Sequence, residues 1–434
     1  MSTGIRGRRF AAVALGIAVI VGACSSGATS SPSAAAAQSS PSAAAGPVTI
    51  TGLFMTQAGY TDDQVTAMAN DFMAANPNIK VQLEFVAYEA VHDKIVTDQL
   101  GGSGKYDLVL MDAIWPAEFA KAGIALDVTD KLPAEFTTGV FPGVLTGTQY
   151  QGRYYGVPWL NDTEYLYYNK AMLAKAGITA PPTTWQEVEQ DSLVMKQKGI
   201  IQYPYVGQWI QAEALICNWA TTAGGFGMTD FVDSQGNPTF NTGGGLQALE
   251  WMKKIKDEGV ANPASMNYKS NDIKGALLAG QAAFGINWTY VYTDSNDPSL
   301  SKVVGQLGIE AAPGGHGANG GSSLAVTKNS KHPDEALKFA LYLASQAVEN
   351  KYTTTALPMW KSSFVDPTLT AQNPDLWAAA NVAYAGMINR PVVPFYTTLS
   401  NKLQLAIQQA LLGQMTPKAA LDGVAAQWAA IQSQ

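Results

Sequence analysis

Two polar side chains occupy positions from which they could hydrogen-bond a ligand. Gln57 follows the apolar run VTITGLF (48–54), and Asp112 ends the run YDLVLMD (106–112). Both runs have the composition of buried strands, and ligands of open α/β sheets bind beyond the carboxyl ends of such strands. An amide and a carboxylate placed there would bind a polar ligand. Asp112 could instead cap a helix that is predicted to begin near Ala113.

The elements that must position these side chains alternate in type. Residues 79–86 (IKVQLEFV) alternate apolar with polar side chains, which predicts a half-buried strand. A helix is predicted on each side of this strand, the first after a capping box of Thr61 and Gln64 and the second over residues 88–100. The resulting β-α-β-α-β order favours right-handed crossovers and a mainly parallel sheet that is covered on both faces.

The middle of the chain repeats this alternation. A strand is predicted around residues 166–169, and a second capping box, formed by Thr184 and Glu187, predicts a further helix. The last predicted helix begins at Thr416-Pro417. The chain is therefore predicted to be an α/β protein.

The N-terminus predicts export. Residues 10–21 form a short uncharged apolar run that follows three arginines, so residues 1–23 are predicted to be a signal peptide. The sequence VGAC (21–24) resembles the lipobox of bacterial lipoproteins, which implies a lipid on Cys24 and attachment to a membrane surface. A plain signal peptide with a chance cysteine is the alternative. Residues 24–47 are rich in Ser, Ala and Pro and carry no charge, so they are predicted to be a disordered tether.

Composition excludes several classes of partner. The formal net charge is −7, so binding to nucleic acid or to anionic lipid is not expected. Cys217 is the only other cysteine, so no disulfide framework is predicted. His92, His316 and His332 are isolated in sequence, and neither a metal site nor a cofactor is expected.

Several segments resemble those of one known family, the carbohydrate-binding lipoproteins of ABC importers, also called the first family of extracellular solute-binding proteins. RPVVPFYTTLS (390–400) is similar to a segment of members that bind trehalose, maltose and related glucosides. The other matching segments are DLVLMDAIWPAEFAKAG (107–123), YYGVPWLNDTEYLYYNK (154–170), GQAAFGINW (280–288) and PGGHGANGGSSLAVTKNSKHPDEALKF (313–339).

The resemblance implies a two-lobe fold of the periplasmic-binding-protein type, in which hinge bending closes a cleft over the ligand. It also implies a non-enzymatic monomer outside the cytoplasm that delivers a di- or oligosaccharide to the permease subunits of an ABC importer. The predicted boundaries are 48–158 plus 309–350 for the first lobe and 159–308 plus 351–434 for the second.

The resemblance also implies roles for individual polar residues. Asp112 and Asp162 would accept hydrogen bonds from sugar hydroxyls, with Asn161 replacing Asp162 if the alignment shifts by one. Arg390 would donate to hydroxyls through its forked guanidinium, unless it forms a surface salt bridge. The other polar and backbone positions implied are Gln57, Gly320 and Gly321.

Tryptophan rings would supply the stacking surfaces for a sugar. Trp288 is the first choice, followed by Trp159 and Trp209, although a lone tryptophan is more often part of a core. One expected ring is missing, because Ser322 follows Gly320-Gly321 where glucoside binders often carry tryptophan. A smaller sugar, or a glucoside with a non-sugar half, therefore stays possible.

Two other functions are compatible with these residues. Arg390 could pair with the carboxylate or phosphate of an anionic ligand, such as a sugar acid or a sugar phosphate. Asp112 and Asp162 could instead face each other across a glycosidic bond, as the two carboxyl groups of a glycosidase do. Binding of a neutral glucoside is the leading interpretation.

Overall fold

A computed structural model describes residues 46–56, 59–354 and 356–433. The predicted signal peptide, Cys24, most of the tether and Gln57 lie outside these residues. Within them, no helix is long and apolar enough to cross a membrane.

Eleven strands form in the described part of the chain, and they build two main sheets and one two-stranded ribbon. They are β1 (Val48–Met55), β2 (Ile79–Val86), β3 (Leu108–Asp112), β4 (Gln149–Tyr150), β5 (Arg153–Tyr154), β6 (Val157–Leu160), β7 (Tyr165–Asn169), β8 (Tyr205–Val206), β9 (Phe284–Asn287), β10 (Leu307–Ala311) and β11 (Ser322–Val326).

The α-helices of the described residues flank these sheets and fill most of the intervals between strands. They are α1 (Asp62–Ala75), α2 (Tyr88–Leu100), α3 (Pro116–Ala122), α4 (Glu135–Thr138), α5 (Pro142–Thr146), α6 (Lys170–Ala176), α7 (Trp185–Gln197), α8 (Glu213–Gly225), α9 (Gly243–Asp257), α10 (Ser270–Leu278), α11 (Tyr290–Ser295), α12 (Pro333–Leu343), α13 (Gln346–Lys351), α14 (Pro367–Thr370), α15 (Pro374–Ala383), α16 (Tyr396–Leu411), α17 (Pro417–Ala425) and α18 (Trp428–Gln432). Both predicted capping boxes form, at the starts of α1 and α7.

The first lobe is built on the sheet β2-β1-β3-β11-β6. Strands β1, β2 and β3 run parallel, as predicted, while β11 is antiparallel to both β3 and β6. Successive side chains of β1 point to opposite faces, so Phe54 joins a core with α1 and α12 while Leu53 joins one with α2 and α3. Both faces of the sheet are therefore covered.

The second lobe is built on the sheet β10-β7-β9-β8. In β7, Leu166 packs into a core with α7, α8 and α9, whereas Tyr165 and Tyr167 pack on the other face with α10 and α15. The prediction of two discontinuous α/β lobes is confirmed, because each sheet takes strands from separate parts of the chain.

The predicted lobe boundaries require correction at three places. The boundary after residue 158 cuts β6, whose ladder with β11 keeps it in the first lobe. The boundary before residue 309 cuts β10, which pairs with β7 in the second lobe. Trp360 was assigned to the second lobe, but its ring packs edge-on against Phe136 in the core of the first.

Candidate ligand-binding site

A cavity of about 290 Å³ lies between the two lobes. The volume is at the lower end of the range typical of small-molecule sites. Five predicted site residues line it, namely Asp112, Asp162, Trp288, Gly320 and Arg390. The other lining residues are Met55, Thr56, Gly59, Ala87, Tyr88, Glu89, Leu110, Leu160, Ala212, Glu213, Ala214, Cys217, Lys269, Ser270, Asn271, Tyr290 and Ser322.

Backbone hydrogen bonds between two lobe crossings and a neighbouring segment hold the centre of this cavity together. The chain crosses between the lobes at residues 161–164 and 312–321. The neighbouring segment is the one that ends at Arg390. Gly320 N–H donates to the Asp162 carbonyl (3.0 Å), and Asn319 N–H donates to the Ile388 carbonyl (2.9 Å). Asp162, Gly320 and Arg390 therefore meet at the joint between the lobes.

Arg390 forms a buried ion-pair cluster in this joint. Its Nη2 lies 3.1 Å from Asp112 Oδ1 at the end of β3, and its Nη1 lies 2.8 Å from Glu213 Oε1 in the first turn of α8. Nη2 also donates to the Asn319 carbonyl (3.0 Å), and the side chain is only 2% exposed. The surface salt bridge considered from sequence is thus replaced by a buried one, because carboxylates from both lobes enclose the guanidinium.

Asp112 combines this pairing with a local role. Its Oδ1 accepts a hydrogen bond from the Ile114 N–H (3.2 Å), which closes a turn after β3. The helix that follows begins at Pro116 rather than near Ala113, so Asp112 stabilises the turn and does not cap the helix.

Asp162 is the other predicted carboxylate, and it lies at the first crossing between the lobes. Its Oδ1 accepts hydrogen bonds from the Thr163 N–H (2.8 Å) and from the Thr289 hydroxyl. Burial raises the pKa of Asp162 to about 7, because these hydrogen bonds offset only part of the cost of removing the charge from water. No Lys, Arg or His within the described ranges forms an ion pair with it.

A second buried carboxyl group, Glu164, lies behind the cavity. It accepts hydrogen bonds from Gln208 Nε2 (2.9 Å) and from the Thr221 hydroxyl, and burial raises its pKa to about 8. The Thr221 oxygen in turn accepts the Ala318 N–H (2.9 Å), so this network ties the second lobe to the 312–321 crossing.

Trp288 follows β9 and is half-buried at the cavity wall. Its ring lies against Gly320, where a Cβ atom would be 2.7 Å from Cη2 and closer still to Cζ3. Gly320 is therefore required for the close approach of the ring, and its backbone forms the floor beneath it.

Trp159 and Trp209 do not line the cavity, and their assignment as stacking surfaces is corrected. Trp159 is buried in the first lobe, stacked on Tyr60 at 5.5 Å and edge-on to Phe54 at 5.6 Å. Trp209 is buried in the second lobe, where its Nε1 donates to Asn218 Oδ1 (3.0 Å). Since core side chains cover both rings, neither offers a face to a ligand.

Gly321 also stays outside the lining. Its carbonyl accepts the Ala113 N–H (3.1 Å), and its own N–H donates to Asn319 Oδ1 (2.8 Å). The residue therefore links the 312–321 crossing to the turn after β3, and its predicted direct contact with ligand is corrected to a positioning role.

Sequence reasoning missed several lining residues. Glu213 and Tyr290 begin helices α8 and α11, and no motif marks them. Glu89 of the first lobe pairs with Lys269 of the second at 2.6 Å, with about half of each side chain exposed. Such contacts across the cleft join residues distant in sequence, so a pattern in one segment could not reveal them.

The arrangement offers hydrogen bonding and stacking rather than metal binding. Within the described ranges, no group of three or more His, Cys, Asp or Glu residues is placed to hold a metal ion. Acceptors (Asp112, Asp162), a ring (Trp288) and smaller polar groups (Ser270, Asn271) surround the same space. This combination can bind a polar ligand that has an apolar face.

Comparisons with known proteins point to one family. The sequence model described as "Bacterial extracellular solute-binding protein" matches residues 58–350. A "Probable ABC transporter-binding protein" of Deinococcus radiodurans is 28% identical over 354 residues, which cover 77% of this chain and 82% of that protein. Among solved structures, maltose-bound MalE3 of T. maritima superposes with a TM-score of 0.80 at 26% identity, covering 88% of this chain and all of the other. A ribitol complex from Agrobacterium radiobacter gives a TM-score of 0.77 at 26% identity, covering 88% and 98%.

Proposed function

The chain belongs to the bacterial extracellular solute-binding protein family, and on this premise we propose that it captures a sugar outside the cytoplasmic membrane for an ABC importer. Bound sugar would pass to permease subunits that other chains supply. The ligand class that we favour is a di- or oligosaccharide of the trehalose or maltose type, and the protein is proposed to act as a monomer anchored through lipid on Cys24.

The observation that carries this proposal is the pairing of Trp288 with carboxylates in one cavity between the lobes. A pyranose has an apolar face of C–H groups, which a tryptophan ring covers. It also has a rim of hydroxyls, which donate hydrogen bonds to carboxylates. Hydrogen bonds to charged groups contribute about 1.5–3 kcal/mol each. One ring and two or three such bonds are consistent with micromolar binding, about −8 kcal/mol.

The charges around Arg390 weigh against an anionic ligand. A sugar acid or a sugar phosphate would need a free guanidinium, but this one already contacts two carboxylates. Moving it toward an anion would leave Asp112 and Glu213 buried without a counter-charge, which is costly. The same pairing weighs against a glycosidase, because Asp112 is held in an ion pair and is not free to transfer a proton.

Closure over the ligand is expected to use the joint between the lobes. Asp112 and Tyr88 belong to the first lobe, whereas Trp288 and Ser270 belong to the second. A ligand that contacts both sets makes its full contacts only when the lobes approach, so it favours the closed state.

The choice among sugars rests on two observations. The 390–400 segment resembles that of glucoside binders, and the maltose-bound neighbour has the same fold. Because Trp159 and Trp209 do not line the cavity, it has fewer stacking rings than a long oligosaccharide needs. A disaccharide is therefore preferred over longer chains.

A melting-temperature screen tests the proposal. The purified mature protein would be heated with trehalose, maltose, sucrose, glucose, ribitol, glucuronic acid or glycerol phosphate. Binding at 100 times Kd should raise the stability by about 2.7 kcal/mol. A shift with a sugar but none with the two acids supports the proposal. Shifts with the acids alone, or with none of these compounds, contradict it.

A further inference from the structure

The cavity lining carries two more carboxylates than cations. This imbalance is local, because it concerns only the side chains that face the space between the lobes. The lining carboxylates are Glu89, Asp112, Asp162 and Glu213, and the lining cations are Lys269 and Arg390.

The ion pairs leave this excess negative charge uncompensated. Lys269 neutralises Glu89 near the solvent (2.6 Å), while the single charge of Arg390 is shared between Asp112 and Glu213. Asp162 has no cation in contact anywhere in the described ranges. The interior of the cavity therefore presents a negative potential whenever Asp162 is ionised, and this potential attracts a positively charged ligand and repels an anion.

Asp162 is the point at which a ligand cation would gain most. Its partners are the neutral hydroxyl of Thr289 and the backbone N–H groups of Thr163 and Thr289, and none of them supplies a charge. Burying a carboxylate without a counter-charge is unfavourable, as its raised pKa shows. A ligand ammonium in contact with Asp162 would remove this cost by forming a charge-assisted hydrogen bond.

Aromatic rings line the same part of the cavity. Asp162 accepts the hydroxyl of Thr289, which lies in the chain between the lining rings Trp288 and Tyr290. The Asp162 carbonyl also accepts the N–H of Gly320, the residue against which the Trp288 ring packs. A cation beside Asp162 would therefore lie close to aromatic faces, which stabilise ammonium groups.

We propose that the ligand of this site is an aminated sugar, bound with its ammonium group against Asp162 and its pyranose face against Trp288. The inference rests on the proposed function, since it narrows the sugar class that the same cavity accepts. The hydroxyls of the ligand then bind the remaining acceptors, and its single positive charge offsets one of the two excess carboxylates of the lining.

Matched sugar pairs test this inference on the wild-type protein. Calorimetry would compare glucosamine with glucose, galactosamine with galactose and trehalosamine with trehalose, with N-acetylglucosamine as the uncharged amide. At least one amine is expected to bind about tenfold more tightly than its parent sugar, because a charged hydrogen bond replaces a neutral one. Its affinity should fall as salt is added, whereas that of the parent should not.

Two variants locate the effect. Asp162→Asn keeps the acceptor for Thr163 and Thr289 but removes the charge, so it should abolish the preference for the amine. Asp294→Asn is the control, since Asp294 pairs with Lys274 on the same lobe but does not line the cavity. It should retain the preference, and circular dichroism would confirm that both variants fold.

The outcomes separate this inference from the proposed function. If parent sugars bind as tightly as their amines, the inference is overturned while the proposed function stands. If the amines bind better but Asp294→Asn removes the preference as fully as Asp162→Asn, the assignment to Asp162 is overturned. If no sugar of any pair binds, both the inference and the proposed function fail.

Discussion

The ring of Trp288 packs on the backbone of Gly320, and no space remains between them for a Cβ atom. The two residues lie next to strands of different sheets. Trp288 follows β9 of the second lobe, and Gly320 lies on the crossing that leads to β11 of the first. The orientation of the ring at the cavity wall thus depends on a glycine in the joint between the lobes.

Gly320→Ala is expected to displace the Trp288 ring. The new methyl group would overpack the contact, at a cost of about 1–3 kcal/mol, and sugar affinity should fall about tenfold because the stacking plane moves. Gly423→Ala is the matched control, because nothing lies within 4 Å of a Cβ there and the residue is within helix α17. It should stabilise the protein by about 0.5–1 kcal/mol. Urea denaturation and calorimetry would measure both, and unchanged affinity in Gly320→Ala would contradict the packing argument.

Trp288→Ala should weaken sugar binding about tenfold, while Trp288→Phe should retain part of the affinity because it keeps an aromatic plane. Trp209→Phe provides a comparison from the core. It removes the hydrogen bond to Asn218 and should lower the melting temperature without changing the affinity. Equal losses of affinity in the Trp288 and Trp209 variants would argue that both act through stability alone.

Arg390→Met should destabilise the fold strongly. Removing the guanidinium leaves Asp112 and Glu213 buried without a counter-charge, which costs about 3–5 kcal/mol. Arg153→Met is the surface control, since the Arg153 side chain is 46% exposed beside Asp127 and Asp130, where water screens its ion pairs and little stability should be lost. The free energy of unfolding in urea distinguishes the two. Similar losses in both variants would mean that the Arg390 cluster is not tightly buried in solution.

The stability of the protein should decrease as the pH rises toward 8. The folded pKa values of Asp162 and Glu164 are raised to about 7 and about 8, above the ordinary values of 3.8 and 4.5. Between these limits the folded state holds protons that the unfolded state has released. The contribution of each group to stability is therefore fully present below its ordinary pKa and is lost as the pH rises through its folded pKa. For each group the free energy of unfolding falls by at most about 1.4 kcal/mol per pH unit.

Glu164→Gln tests this assignment. The amide is uncharged at every pH and can still hydrogen-bond Gln208 and Thr221, so the decrease in stability between the ordinary pKa of 4.5 and the folded pKa of about 8 should become shallower. Unfolding free energies would be measured across the pH range in wild type and variant. Parallel pH profiles would show that Glu164 does not titrate in this range.

The sequence predicted local structure well wherever a side chain acts within its own segment. The capping boxes at Thr61 and Thr184 form because the cap and its partner are three residues apart, and helix α2 has the predicted bounds. Asp112 could also be placed from sequence, because the end of a buried strand in a parallel α/β sheet opens toward a crevice.

The tryptophans show where sequence reasoning reached its limit. Trp159 and Trp288 both lie at the end of a strand run, yet one is covered by Tyr60 and Phe54 while the other faces the cavity. All residues of β6 are buried, so the alternation of side chains did not indicate which face was free.

The sequence by itself determined the α/β class, which follows from local periodicity, and the two-lobe family, which follows from the resemblance of motifs within single segments. Only the tertiary structure decided how the charges are shared. The Arg390 cluster unites Asp112 and Glu213, which are far apart in the chain, while no cation of the described residues contacts Asp162. Ion pairing depends on distances of a few ångströms between such residues, and those distances exist only once the lobes have folded against each other.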